Sequence, residues 1–173
     1  MNLYHFSVPV YTKMLGNLAG ILEKATVWAK ETRKTEEEIL QSRLAPDMFP
    51  LVRQIQIASD NAKSISARLA GEEPPKMEDT ESTLSELIDR TRKTVAYLKT
   101  LDPAKFEGSE SRRILFPYVP DTYLLGEEAL FESYLPNFFF HVTTAYDILR
   151  NQGMPLGKAD YIGTLPLKPN EKA

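Results

Sequence analysis

The sequence predicts an all-α fold, a four-helix bundle with crossover connections and a small β-hairpin inserted before the last helix. Three observations carry this expectation. Four long stretches repeat apolar residues at helical spacing, as helices with one face turned to a core do. Each stretch is bounded by residues that start or stop helices. Only the interval between the third and fourth stretches loses that period and turns rich in proline, aromatic and branched residues.

The first helix is expected over residues 7–31, with Ser7 as N-cap and Pro9 near the first turn. Its stripe is Tyr11, Met14, Leu15, Leu18, Leu22, Ala25, Trp28 and Ala29, interrupted by Gly16 and Gly20, for which close helix approach is one reason. In the connection that follows, Thr35 and Glu38 form a capping-box pattern and predict a short helix. The second long helix spans 47–70, with Asp47 as cap, Pro50 in the first turn and Gly71 as terminator. Gln54, Arg53 and Asp60 flank its apolar stripe. A charged loop with two prolines covers 72–81, and Ser82 caps a third helix over 82–101.

Residues 112–125 read as the hairpin, with Pro120-Asp121 between its strands. One or two helical turns lead from it into the fourth helix, 136–152. Pro136 suits its first turn, Gly153 the position past its end and Arg150 its last turn. Phe138, Val142, Ala145, Ile148 and Leu149 make its inward stripe. His141 lies within that stripe and Asn137 one turn before it, so the two point together into the protein or into a cleft beside it. A core histidine satisfied by a backbone carbonyl or a tyrosine hydroxyl is the plainer alternative. From about residue 154 the chain is expected to run in extended form, anchored by Leu156, Tyr161 and Ile162, within a single domain covering 1–173.

Composition removes several function classes. With 173 residues the chain can bury one substantial core. A net charge of −3 with no basic run argues against nucleic acid. The absence of cysteine excludes disulfides, thiolate metal sites and cysteine nucleophiles. No apolar run approaches a membrane span and no signal-peptide pattern opens the chain, so a cytoplasmic protein is expected.

The stretch H-V-T-T-A-Y-D-I-L-R-N-Q-G-M-P resembles the end of the DinB-like superfamily, four-helix bundles that include metal-dependent thiol transferases. More closely, A-P-D-M-F-P-L, A-R-L-A-G-E-E, L-P-N-F-F-F-H and P-L-G-K-A-D-Y are similar to a family within it known only as a domain of unknown function. The resemblance implies a metal held by a histidine pair on the last helix and a third histidine on the second. His141 matches the second of the pair. Asn137 stands where the first would be, and Gln54 where the third would be. The metal site is therefore read as degraded, and no cofactor is expected. If a divalent metal is retained, His141 is its ligand, in a set rebuilt with Asp60 and a tail carboxylate.

Three functions compete on this reading. The first is a bundle binding a small molecule in a pocket formed by His141, Asn137, Gln54 and Tyr146 or Tyr161. The second is an enzyme, either a thiol-dependent transferase or an acid–base catalyst using His141. The third is a pure interaction protein. The resemblance, together with the apolar residues Phe116, Tyr118, Phe131 and Phe139 outside the main stripes, leads us to expect a homodimer.

Overall fold

The computed structural model describes residues 2–116, 119 and 121–169. Its four long helices are α1 (Tyr4–Thr32), α3 (Leu51–Leu69), α4 (Leu84–Leu98) and α6 (Leu135–Asn151), with α2 (Glu36–Leu40) in the first connection. The principal neighbour of α1 is α4 rather than α3, the next long helix in sequence, and α3 packs along α6 and α4. This is the crossover arrangement. The core is the union of the four stripes, with Tyr11 and Phe138 crossing it edge to face at 4.7 Å.

Three helix starts differ from expectation, each for a local reason. Helix α1 begins a turn before Ser7, because buried Leu3 carries the stripe upstream. Asn2 Oδ1 accepts the Tyr4 N–H at 2.9 Å, while the buried Ser7 hydroxyl donates to the Leu3 carbonyl at 2.8 Å. Helix α3 begins at Leu51 rather than 47. Pro50 disfavours helical backbone at Phe49 and is itself extended, so Asp47 caps nothing. The Leu51 N–H donates instead to the Ser42 carbonyl at 2.9 Å. Helix α4 is capped by Thr83, one residue after Ser82, in a capping box with Glu86. A carboxylate oxygen of Glu36 accepts the Leu84 N–H at 2.9 Å, so α2 helps to cap α4. The expected capping box of α2 itself, Thr35 with Glu38, is present.

The hairpin pairs β1 (Arg113–Leu115) antiparallel to β2 (Tyr123–Leu125), with Ile114 opposite Leu124. Its expected Pro120 corner and Tyr118 lie outside the described residues. A short turn, α5 (Gly126–Glu128), follows, and a side chain at Gly126 would collide with the Ser109 carbonyl. The expected lead-in to the fourth helix is a wide π turn, Ala129–Tyr134, in which the Leu135 N–H reaches the Leu130 carbonyl. Widening one turn ahead of Pro136 lets the helix continue past a residue with no N–H to donate. At the other end Gly153, at φ 93°, closes α6 with the left-handed turn expected of it.

Beyond Gly153 the chain is not simply extended. Met154 and Leu156 are buried, and a short helix, α7 (Lys158–Ile162), packs on α1. Asp160 drives this turn by accepting the Gly157 N–H at 2.8 Å and pairing with Lys24. The space above Gly16 and Gly20 is open, so close helix approach does not explain those residues. Of the apolar residues outside the stripes, Phe131 is exposed, whereas Phe116 and Phe139 pack against the core. No helix among the described residues is long and apolar enough to cross a membrane.

One buried cation holds the charged loop. The Arg90 side chain is 2 % exposed and pairs with Asp60 of α3 at 2.7 Å, Asp79 at 2.9 Å and Glu81 at 2.8 Å. Burial pushes the Glu81 carboxyl up, but hydrogen bonds from Arg90 and Gln56 outweigh it and hold it below the usual range. Arg90→Ala removes the buried cation these carboxylates share and should lower the unfolding free energy by about 3 kcal/mol in urea titration. Thr83→Ala, which removes one cap, should cost about 1 kcal/mol. A depressed carboxyl contributes stability above its unfolded pKa and loses it as pH falls through the folded value. Acid should therefore destabilise the parent more steeply than Arg90→Ala.

Candidate functional site

His141 lies on the inward face of α6, 7 % exposed, and its Nδ1 is 2.6 Å from Oε1 of Gln54 on α3. Gln54 is buried, and its Nε2 donates to the Phe49 carbonyl at 2.9 Å. This chain of contacts fixes the imidazole tautomer. The Phe49 carbonyl can only accept, so the amide nitrogen of Gln54 faces it and the amide oxygen faces His141. Nδ1 must then carry the proton and Nε2 the lone pair. Burial, with Arg53 nearby adding to it, holds the imidazole pKa below its ordinary value of 6.5 and keeps the ring neutral at pH 7. Nε2 makes no hydrogen bond among the described residues and is not among the buried atoms left without a partner, so it keeps some access to solvent.

Beside this pair runs a cleft of about 550 Å³ between α3 and the α6 arm. One wall is a helical ladder on α3 formed by Arg53, Ile57, Asp60, Asn61, Ser64 and Arg68. The other wall is Ser133, Tyr134 and Asn137, with Phe49 and Phe116 also lining the cleft. Asn137 is exposed here, one turn from the buried His141, and neither His141 nor Gln54 lines the cleft. Tyr146 goes elsewhere. It stands edge-on to Tyr161 of α7 at 6.0 Å and is no part of the cleft wall. Tyr161 is held there by Thr143, hydroxyl to hydroxyl at 2.9 Å. The structure thus brings together His141 and Gln54, sets Asn137 in the neighbouring cleft, and leaves Tyr146 with the tail.

Ser64, Arg68 and Asn61 were not singled out by the sequence reading. Their signal was available, since they continue the spacing begun by Arg53 and Asp60. Phe116 and Ser133 had no such signal, because the hairpin and the π turn place them.

The donor set does not fit the divalent metal that the resemblance implies. Among the described residues no three histidine, aspartate or glutamate side chains gather around a common point. Gln54 is neutral, and its oxygen already accepts from His141. Asp60, the carboxylate of a rebuilt set, is committed to Lys63 and Arg90, each at 2.7 Å.

The bundle, with its small hairpin ahead of the last long helix, defines a DinB-like protein. Residues 3–162 match the family described as a domain of unknown function (DUF1993), and the chain belongs to that family. It is also similar to a DinB family member protein from Shewanella denitrificans, known from a crystal structure. The two are 42 % identical with a TM-score of 0.93, over 97 % of this chain and 96 % of the other. No curated protein matches the sequence.

Two outcomes are expected of the His141 pair. In ¹⁵N-detected NMR, Nδ1 should be protonated and Nε2 bare at pH 7, with a titration midpoint below 6.5. Because the folded form takes up its proton later than the unfolded one, stability should fall as pH drops from 7 to about 5, and this loss should vanish in His141→Gln. Gln54→Leu leaves Nδ1–H and the Phe49 carbonyl without partners and should cost about 1–3 kcal/mol in denaturant titration.

Proposed function

We propose that this protein binds a small organic molecule in the cleft between α3 and α6, with Asn137 and Arg53 as polar contacts and His141 at its inner edge. The observation that carries the reading is the cleft itself. Its volume lies in the range typical of small-molecule sites, and it combines aromatic side chains with a few convergent polar groups. His141 contributes a neutral imidazole whose tautomer is fixed by Gln54 and whose Nε2 is free to accept a hydrogen bond.

That free lone pair favours a second reading, an enzyme in which Nε2 takes a proton from a bound substrate without a metal. A thiol is the substrate class the superfamily resemblance implies. The first reading needs only the cleft, whereas the second also needs the substrate proton to reach Nε2.

Native mass spectrometry of the purified chain, backed by a fragment screen read by NMR, tests the proposal. Asn137→Leu should weaken any bound ligand by about tenfold or more, the loss of one well-placed polar contact, and leave the melting temperature unchanged. His141→Ala should weaken it beyond the effect of the control core variant Val142→Ala. A ligand bound equally well by all of these variants, or a screen in which no fragment shifts cleft residues, would sink the proposal.

A further inference from the structure

We infer that the Arg68 end of the cleft is a subsite for the carboxylate of a small aromatic acid, with the acid's ring against Phe116 and Tyr134. This rests on the ligand-binding reading above and names the chemistry of the ligand. The cleft contains two guanidinium groups and two carboxylates, and three of these four are committed to each other or to neighbours. Asp79 pairs with Arg53 and Arg90, and Asp60 with Arg90 and Lys63. Arg68 alone faces no carboxylate among the described residues.

Arg68 is nevertheless held in place. Its Nε donates to the Ser64 hydroxyl at 3.3 Å and its Nη1 to the Leu115 carbonyl at 3.2 Å. Two neutral acceptors orient the half-buried guanidinium without neutralising it, and leave N–H groups on its outer edge. A planar fork with donors to spare and no counter-charge is matched best by a carboxylate, which can accept two parallel N–H bonds.

The surroundings select the rest of the ligand. The rings of Phe116 and Tyr134 lie 5.8 Å apart at 48°, forming an apolar wall beside the guanidinium. An aromatic body packs on such a wall edge-on or offset. On the same face of α3, Asn61 is more than nine-tenths buried, and its Oδ1 has no hydrogen-bond partner. Helical side chains lean toward the N-terminus, and the bond to Ser64 shows Arg68 doing so. Its head therefore lies about one turn, roughly 5 Å, from Asn61. A hydroxyl or amine close to the ligand's carboxylate would meet the Asn61 amide, which lines the cleft.

The test uses the full chain and three probes, 3-phenylpropionate, its neutral counterpart 3-phenylpropan-1-ol, and 3-phenyllactate, which adds a hydroxyl beside the carboxylate. Saturable amide shifts at Arg68 and Phe116 are expected with both acids. The alcohol should bind about tenfold more weakly or worse, the value of a charge-assisted contact, and phenyllactate at least as tightly as phenylpropionate. Arg68→Gln should erase the acid's advantage and leave the alcohol unchanged. An alcohol that binds as well as the acid, or an advantage that survives Arg68→Gln, overturns the inference. Should that variant not fold, a salt titration of the parent decides. Acid binding that falls with added NaCl while alcohol binding does not supports the subsite, and equal insensitivity overturns it. If the probes shift cleft residues with no preference for acid, the subsite falls and the cleft reading stands. If no probe shifts the cleft and native mass spectrometry finds no ligand, both fall.

Discussion

A guanidinium taken out of water needs counter-charges, and the fold of this protein turns on how Arg90 obtains them. Its partners come from two places: Asp60 on the neighbouring helix α3, and Asp79 and Glu81 on the loop between α3 and α4. Meeting all three draws a charged, proline-containing loop down over the seam of two helices instead of leaving it in solvent. The consequences reach the cleft. Asp79, once held by Arg90, also pairs with Arg53, and Arg53 is the charge that helps to keep His141 unprotonated. Asp60 is turned toward Arg90 and Lys63, which neutralise its charge. Arg90 therefore arranges one wall of the cleft and, with Lys63 and Arg53, neutralises its carboxylates.

The reach of the deciding contact separates the architecture that was readable from sequence from the part that was not. The four stripes, the Thr35–Glu38 capping box and the Gly153 stop are local signals, in which a residue and its partner lie within one or two turns. Helix starts were harder because they were decided by distant partners. Leu51 depends on the Ser42 carbonyl, and Leu84 on Glu36, which lies 48 residues away. The short helix α7 sits in a stretch full of structure breakers, and it forms because Lys24 and Asn17 of α1 meet Asp160 and the Tyr161 carbonyl. No window of the tail sequence contains those partners.

For the site, the direction of His141 and its nearness to Gln54 could be reasoned from periodicity and the family resemblance together. The partner turned out to be the Gln54 amide rather than a backbone carbonyl or a tyrosine hydroxyl. Asn137 could not be placed so simply. Residues at i and i+4 share a face, but a helix face is broad enough to have a buried half and an exposed half, and the two residues fall on opposite sides of that line. Tyr146, expected in the same pocket, does not join them. It is five positions beyond His141, which on a helix turns it well away, toward α7.

Gln54 acts on His141 as an orienting group. An imidazole at that position would offer a lone pair to a metal shared with His141. The amide offers an oxygen that accepts from Nδ1–H and an N–H that is anchored on Phe49, whose carbonyl is presented by the extended Pro50 at the start of α3. The residue just ahead of the proline that delays the helix thus supplies the acceptor that orients the amide. The amide in turn fixes the tautomer of the histidine. What remains is one neutral imidazole with its proton committed inward and its lone pair uncommitted, next to a cleft whose carboxylates are already paired. Such an arrangement is poorly suited to holding a divalent cation and well suited to accepting a hydrogen bond from, or taking a proton from, an organic molecule lying along α3.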